Sequence, residues 1–213
     1  MLKRFFITGT DTECGKTYVT CQLLHHLKQG GKRARAIKPV ASGYTEKNGC
    51  LVNEDIDSLQ QFNGDTETIC PWPLSLPLSP HLAALHDGKK LSAQEIAAYC
   101  LEKNVNDLDY LLIEGAGGLM VPLNSSETWL DFLRISKIPV ILVVGMRLGC
   151  LNHALLTAAV LEAQHISCAG WIANCLDETM AERAANIGTL LDKLHAPHLA
   201  TVEPHGSITK FSL

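Results

Sequence analysis

Short segments that are apolar throughout alternate along this chain with longer segments of helical periodicity. Apolar segments without a polar face are typical of strands in a parallel sheet that helices cover on both sides. We expect strands at 4–9, 33–40, 109–115, 138–145 and 167–174, and a shorter one at 198–202. The pattern predicts an α/β fold of three layers, α/β/α, with a mostly parallel central sheet, in a single domain over residues 1–213.

Helical periodicity fills most of the intervals between these strands. The predicted helices are 16–29, 53–62, 81–86, 92–104, 127–136, 151–164 and 178–193. Segment 69–80 holds four prolines, which lack a backbone N–H, and is expected to be irregular. Because ligands on parallel sheets bind at the carboxyl ends of the strands, motifs that directly follow a strand are the candidates for function.

The composition argues against a nucleic-acid or membrane partner. The chain has 213 residues and a formal net charge of -4, and it contains no run rich in lysine and arginine. Its longest apolar run, "IPVILVVG", is far too short to span a bilayer. The 8 cysteines lack zinc-site spacing and the N-terminus shows no signal peptide, so we expect reduced thiols in a cytoplasmic protein.

The motif "GTDTECGKT", residues 9–17, lies between the first predicted strand and the first predicted helix. It resembles the phosphate-binding pattern G-x-x-x-x-G-K-[ST], but one additional residue separates Gly9 from Gly15. Backbone N–H groups at the helix start can bind phosphate oxygens. Lys16 would neutralise the β- and γ-phosphates, and Thr17 would coordinate Mg²⁺. A plain strand-to-helix turn is the alternative, but the position of Gly-Lys-Thr favours a nucleotide loop.

Further charged residues follow predicted strands or open a helix. Glu114 ends an apolar strand and precedes Gly-Ala-Gly-Gly, as a Walker-B carboxylate that faces a metal ion would. Lys38 ends the second strand, where a cation could stabilise a transferring phosphoryl group, although a lone lysine is more often a surface residue. Asp55 or Asp57 could supply a second metal carboxylate, and the spacing does not choose between them.

These motifs together resemble the dethiobiotin synthetase family, whose members have a P-loop NTPase-like fold. The similar stretches are "RFFITGTDTECGKT", "KPVASG", "SPH", "LLIEGAGG", "PVILVVGMRLGCLNHALLT" and "AGWIAN". They lie between residues 4 and 174, which is most of the chain. The loop form G-T-D-T-x-x-G-K-T is the one that this family uses, so the additional residue marks a branch of the nucleotide-binding loops.

The resemblance implies an ATP-dependent cyclo-ligase of biotin biosynthesis. Its partners would be 7,8-diaminononanoate, CO₂ or bicarbonate, and ATP as co-substrate with Mg²⁺. One amine takes up CO₂ as a carbamate, which attacks the γ-phosphate to give a carbamic-phosphoric anhydride. The second amine then closes the ring to dethiobiotin. The resemblance also implies a homodimer with the substrate site at the subunit interface.

Roles for individual residues come from the matching positions of the family. The catalytic residues would be Lys16, Lys38 and Thr12, with Thr12 helping to fix the carbamate. The ATP contacts would be Glu13, Cys14, Gly15, Lys16, Thr17, Tyr18, Asp55, Glu114, Gly115, Ala116, Gly117, Asn174 and Pro204. The metal ligands would be Thr17, Asp55 and Glu114. The substrate contacts would be Thr12, Ser42, Glu114, Gly149, Cys150, Leu151 and Asn152.

The last four of these substrate contacts open a predicted helix, whose free N–H groups suit the far carboxylate of the substrate. In the family this helix start belongs to the neighbouring subunit. Asn152 would equally suit a helix N-cap, and one residue can serve both purposes.

Two other functions fit the same fold. A switch ATPase of the partitioning and division-site type would carry another lysine early in the loop, and none precedes Lys16 in this loop. A cobyrinate-type amide synthase would need a glutaminase domain, and we expect none in a chain of 213 residues. The synthetase interpretation is therefore the favoured one.

Overall fold

The computed structural model of the chain describes residues 2–47, 50–102, 107–176, 180–204, 206, 208 and 211. Its strands are β1 (Lys3–Gly9), β2 (Ala34–Ile37), β3 (Val40–Ser42), β4 (Thr45–Lys47), β5 (Cys50–Val52), β6 (Trp72–Leu74), β7 (Tyr110–Gly118), β8 (Val140–Gly145), β9 (Cys168–Asn174) and β10 (His198–Val202). Its helices are α1 (Lys16–Gln29), α2 (Glu54–Asn63), α3 (Pro80–His86), α4 (Ala93–Glu102), α5 (Trp129–Ser136), α6 (Cys150–Ala163) and α7 (Arg183–Lys193).

Six strands form the central sheet in the order β10-β9-β8-β1-β7-β2, and every neighbouring pair is parallel. In the middle of this sheet, Phe6 of β1 lies opposite Ile113 of β7 and Val140 of β8. Val143 packs into the larger hydrophobic cluster, whereas Val144 packs into a smaller one with residues of α6 and α7. Successive residues of a strand face opposite sides of the sheet, so both sides are covered. The predicted α/β fold with a parallel central sheet is confirmed.

The predicted strand 33–40 is divided by Pro39 into two strands that belong to different sheets. β2 ends at Ile37 in the central sheet, and β3 pairs with β6 in a separate two-stranded sheet. The expectation that 69–80 is irregular throughout was therefore wrong at β6. Pro73 is accommodated there because β6 has its single partner on one edge, so the ladder does not need a donor from Pro73.

Other element ends differ from the predictions. β7 continues to Gly118, beyond the predicted end at residue 115, and β4 and β5 form a short antiparallel pair that was not predicted. The helix predicted at 178–193 is observed as α7, which begins at Arg183 because residues 180–182 are not helical. Residues 178 and 179 lie outside the described residues. The predicted helix 92–104 runs from Ala93 to Glu102, and 103 and 104 also lie outside that part. No helix in the described ranges is long and apolar enough to cross a membrane.

Candidate active site

A cavity of about 650 Å³ lies where β1, β2 and β7 end. It is lined by Thr12, Glu13, Gly15, Lys16, Thr17, Tyr18, Lys38, Ser42, Asp55, Pro77, Leu78, Ser79, Pro80, Ala116, Gly117 and Val121. Most of these are predicted site residues, so the structure brings together the phosphate loop, Lys38 and Asp55. The sequence reasoning missed Val121 and the segment 77–80, which carry no charged group. The stretch "SPH", which includes Ser79 and Pro80, was the available signal for that segment.

Several predicted residues do not line this cavity. They are Cys14, Glu114, Gly115, Gly149, Cys150, Leu151, Asn152, Asn174 and Pro204. Glu114 lies directly behind the wall and is fully buried. Cys14 and Asn174 are buried beneath the phosphate loop. Gly115 faces the core, since a Cβ atom there would lie 2.5 Å from the Phe6 ring.

The phosphate loop ends at Gly15, which is the N-cap of α1. Its φ of 82° lies in the left-handed region that favours glycine. A Cβ atom at this position would also lie 2.0 Å from Nδ2 of Asn174. That amide nitrogen donates a hydrogen bond of 2.9 Å to the carbonyl of Cys14. Asn174 therefore supports the loop, and in the part of the chain that the structure describes no side chain caps the start of α1, which suits an anion.

The phosphate loop begins as a continuation of β1. The N–H of Thr10 donates to the carbonyl of Val143 at 3.0 Å, which continues the pairing of β1 with β8 beyond Gly9. The turn comes later, where Glu13 adopts a φ of 57°.

A charge cluster of Lys38, Asp55 and Glu114 lies at the cavity, with Lys38 and Glu114 buried and the Asp55 side chain 47% exposed. The Lys38 ammonium donates to Oδ2 of Asp55 at 2.5 Å and to Oε1 of Glu114 at 2.7 Å. The Thr17 hydroxyl donates to the same Glu114 oxygen at 2.6 Å. Asp57, the alternative metal carboxylate, is exposed and does not line the cavity, so the geometry favours Asp55.

Within this cluster, Lys38 and Asp55 stabilise each other's charged forms. Burial by itself would lower the pKa of the Lys38 ammonium, but the charges of Glu114 and Asp55 outweigh it and hold that pKa above 10.5. Burial would also raise the pKa of Asp55, but the Lys38 charge outweighs it, so the pKa of Asp55 lies below 3.8. Lys38 and Asp55 are therefore both charged at neutral pH.

The oxygen atoms of this cluster fit a magnesium ion. Thr17, Asp55 and Glu114 offer the hydroxyl and carboxylate oxygens that Mg²⁺ prefers, and Oε2 of Glu114 is buried with no hydrogen-bond partner among the described side chains and backbone. Among the described residues, no three His, Cys, Asp or Glu side chains form a metal-holding group. Mg²⁺ commonly uses one or two carboxylates and completes its shell with waters and substrate phosphates. The donor set fits such a shared site.

The Lys16 side chain is held on the opposite wall. Its ammonium donates to the carbonyl of Asp11 at 3.1 Å, and only 7% of the residue is exposed. Thr12 lies close to β7, because a Cβ atom on Gly117 would lie 3.6 Å from the Thr12 hydroxyl. Two cations and a hydroxyl thus border the same space as the carboxylates.

The start of α6 forms a separate feature outside the cavity. Gly149 is its N-cap with a φ of 94°, and no side chain of the described residues caps the helix there. Asn152 is exposed and is not the N-cap residue, so this geometry does not support the N-cap alternative. Cys150, by contrast, is buried. The N–H of Cys150 donates to the carbonyl of Arg147 at 3.0 Å. The N–H groups of Leu151 and Asn152 are therefore the ones that could bind a carboxylate from outside this chain.

A parallel sheet with a glycine-lysine-threonine loop after its first strand, and a buried carboxylate on the neighbouring strand, defines a P-loop nucleotide-binding protein. Residues 3–212 match the AAA domain family. The chain is 52% identical over 213 residues to the ATP-dependent dethiobiotin synthetase BioD of Legionella pneumophila (strain Paris), covering 100% of this chain and 99% of that relative. It is 42% identical to the BioD of Cellvibrio japonicus (strain Ueda107), covering 94% and 89%. The chain belongs to the family of ATP-dependent dethiobiotin synthetases, which are ligases.

Solved structures of low sequence identity share the fold. The cell division protein FtsY of Thermotoga maritima has a TM-score of 0.63 at 16% identity, covering 100% of this chain and 66% of that one. The septum site-determining protein MinD of Pyrococcus horikoshii, complexed with Mg-ADP, has a TM-score of 0.58 at 18% identity, covering 95% and 82%. These similarities support the P-loop fold and say nothing further about function.

Proposed function

We propose that this protein joins CO₂ to 7,8-diaminononanoate and closes the ring to dethiobiotin, with conversion of ATP to ADP and phosphate. The observation that carries the proposal is the Lys38 ammonium between Asp55 and Glu114, next to a phosphate loop of the family form. The full-length similarity to named dethiobiotin synthetases supports the choice of substrate.

In the first step, one amine of the substrate adds to the carbon of CO₂ and loses a proton, which gives a carbamate anion. Thr12 and Ser42 line the cavity and would donate hydrogen bonds to it. The Ser42 hydroxyl has no partner among the described residues, so a substrate oxygen would satisfy it.

In the second step, a carbamate oxygen attacks the γ-phosphorus of ATP and the bond to the ADP oxygen breaks. Negative charge accumulates between the carbamate, the phosphoryl group and ADP. Lys16 and Lys38 border this space from two sides, and fixed cations of this kind stabilise such charge without reorganisation. Mg²⁺ held by Thr17, Asp55 and Glu114 would further neutralise the phosphate oxygens.

In the third step, the second amine attacks the carbonyl carbon of the carbamic-phosphoric anhydride. The bond from that carbon to the phosphate oxygen breaks, phosphate leaves, and the cyclic urea forms. Lys38 would stabilise the leaving phosphate, because it lines the cavity that the substrates would occupy.

We propose further that the protein is a homodimer in which the start of α6 completes the site of the partner subunit. The residues that open α6, from Gly149 to Asn152, do not line the cavity of their own chain. Leu148, just before this helix start, is 98% exposed, and Leu156, nearly two turns into α6, is 59% exposed. Exposed apolar side chains along one helix support an interaction surface. We place the reaction in the cytoplasm, where free thiols such as Cys14 and Cys21 stay reduced.

The test is phosphate release by the purified protein with ATP, Mg²⁺ and bicarbonate, with and without 7,8-diaminononanoate. We expect release that depends on the diamine and a product of the mass of dethiobiotin. ATP hydrolysis at a rate that does not depend on the diamine, with no product of that mass, would contradict the proposal and favour a switch ATPase.

A further inference from the structure

The loop between β8 and α6 contacts the phosphate loop through Arg147. Its Nη2 atom donates to Oδ2 of Asp11 at 2.5 Å and to the carbonyl of Thr12 at 3.4 Å. Arg147 stands two residues before Gly149, the N-cap of α6. One side chain therefore joins the nucleotide loop to the segment that opens α6.

Asp11 connects this arginine to the catalytic candidates. Its second carboxylate oxygen accepts the N–H of Thr12 at 2.7 Å, and its carbonyl accepts the Lys16 ammonium at 3.1 Å. Asp11, which Arg147 binds, is thus hydrogen-bonded to both Thr12 and Lys16. Because Lys16 is 7% exposed, a shift of Asp11 would move a buried charge.

We propose that Arg147 is a positioning residue for the reaction, which it serves by fixing Asp11 and through it Thr12 and Lys16. The inference rests on the proposed function for its catalytic consequence. In the proposed dimer, α6 serves the site of the partner subunit, so Arg147 ties the nucleotide loop of one site to the diamine-binding end of the other.

The exposure of the ion pair between Arg147 and Asp11 predicts different effects of its loss on stability and on catalysis. The side chains of Arg147 and Asp11 are 42% and 46% exposed, and ion pairs this exposed contribute little to stability. A displacement of about 1 Å in a reacting group, however, can cost on the order of 10²-fold in rate. Loss of Arg147 should therefore change catalysis and leave the melting temperature nearly unchanged.

The chain offers a matched control in Arg134, whose pair with Asp131 has side chains that are 46% and 29% exposed. Neither member of that pair lines the cavity. We expect Arg147→Ala to lower kcat/KM at least about tenfold and to weaken the affinity for a fluorescent ATP analogue. Arg134→Ala should change neither quantity, and both variants should lower Tm by no more than about 4 °C. Arg147→Lys should recover part of the loss, since an ammonium can pair with Asp11 but lacks the planar fork.

A double-mutant cycle with Asp11→Asn separates positioning from direct contact with substrate. If Arg147 acts through Asp11, the double variant should be no worse than the poorer single variant. Additive losses, or an Arg147→Ala protein as active as Arg134→Ala, would overturn the inference. A wild-type protein that makes no dethiobiotin would refute the proposed function instead, and the affinity for the ATP analogue would still test whether Arg147 holds the loop.

Discussion

The Lys38 ammonium lies between two carboxylates that a magnesium ion would also use. Lys38 is 5% exposed and Glu114 is fully buried, so each charge depends on the other for compensation. Removing one partner of a buried pair leaves an uncompensated charge, at a cost of roughly 3–5 kcal/mol. Without metal, then, Lys38 is the counter-ion of the two carboxylates, and a bound divalent ion would have to take over that role.

We expect Lys38→Met to be less stable than wild type without metal and to regain more stability with Mn²⁺. In the variant the metal compensates Asp55 and Glu114 without displacing a lysine, so its affinity without nucleotide should rise. Thermal unfolding across a Mn²⁺ titration measures the first effect, and electron paramagnetic resonance of free Mn²⁺ measures the second. Dethiobiotin formation should fall by about 10²- to 10³-fold, the usual scale for losing one preorganised group.

Lys28→Met is the control for that experiment. Lys28 is also a lysine of this chain, but it is exposed and donates to the carbonyls of Phe62 and Asn63. It should bind Mn²⁺ as wild type does. An unchanged Mn²⁺ affinity in Lys38→Met would show that the lysine and the metal do not compete.

The lowered pKa of Asp55 predicts how the stability of the fold depends on pH. The charge of Lys38 holds this pKa below 3.8, so the pair stabilises the fold above that pH. The contribution is lost as the pH falls through the lower pKa of the folded state. The side chain is 47% exposed, which limits the effect to about 1 kcal/mol. We expect Asp55→Asn to be less stable than wild type at pH 6, with the difference shrinking towards pH 3.

Urea unfolding at several pH values measures this difference. Glu54→Gln is the control, because Glu54 also lies in the first turn of α2 but is not paired with Lys38. A difference between wild type and Asp55→Asn that stays constant down to pH 3 would contradict the assignment of the shift to Lys38.

At the level of elements, the central sheet was predictable because its strands are apolar on both faces. The position at which β7 ends was not predictable in this way. The strand was predicted to end at residue 115, whereas β7 continues to Gly118 although glycines usually weaken strands. In the structure Gly118 pairs with Gly9, and Gly115 packs against the Phe6 ring. These glycines are needed because another element approaches closely, and such contacts between distant segments leave no periodic signal in the sequence.

The candidate site was likewise predictable from the sequence only in part. Lys16 and Thr17 could be proposed from the sequence because they follow β1, and Glu114 because it lies towards the carboxyl end of an apolar strand. Each carries a group suited to phosphate or metal. The link from Arg147 to Asp11 could not, since it joins residues 136 positions apart and follows no recognised spacing. The short strands β3 and β6 were missed for a similar reason, because three-residue segments carry too little periodicity.

The N-terminus of α5 supports the wall of the cavity. Thr128 and Asp131 form a capping box, and the indole N–H of Trp129 donates to the carbonyl of Ala116 at 2.9 Å. We expect Thr128→Ala to lower stability by about 1 kcal/mol, which corresponds to about 2–4 °C in Tm for a chain of this length. Calorimetry measures the shift. Thr128→Ser keeps the hydroxyl acceptor and should melt close to wild type, so equal losses in the two variants would argue against the cap.

For the molecule as a whole, α6 combines an uncapped N-terminus with an unusually apolar exposed side. Leu148 and Leu156 are exposed, while Leu151 and Leu155 are partly covered by the cluster beneath the helix. A surface of this kind is costly in a single chain and typical of an interface. The same helix that would bind the partner would therefore bring its N–H groups to the partner's substrate.

This arrangement predicts that assembly and diamine chemistry fail together. Leu156→Glu places a charge on the proposed interface without touching the core, so the protein should fold but elute as a monomer in size-exclusion chromatography with light scattering. It should still bind an ATP analogue, because the phosphate loop and the charge cluster lie within one chain. Diamine-dependent phosphate release should be nearly lost, because the carboxylate of the substrate would have no helix start to bind.

The matched control is Leu101→Glu, which alters an exposed leucine of α4. That variant should keep the mass and the turnover of wild type. If Leu156→Glu remains dimeric and fully active, α6 is not the interface. If it becomes monomeric but still turns over the diamine at the wild-type rate, the dimer exists and the substrate carboxylate is bound within one chain. Only joint loss of assembly and turnover supports a site that two subunits share.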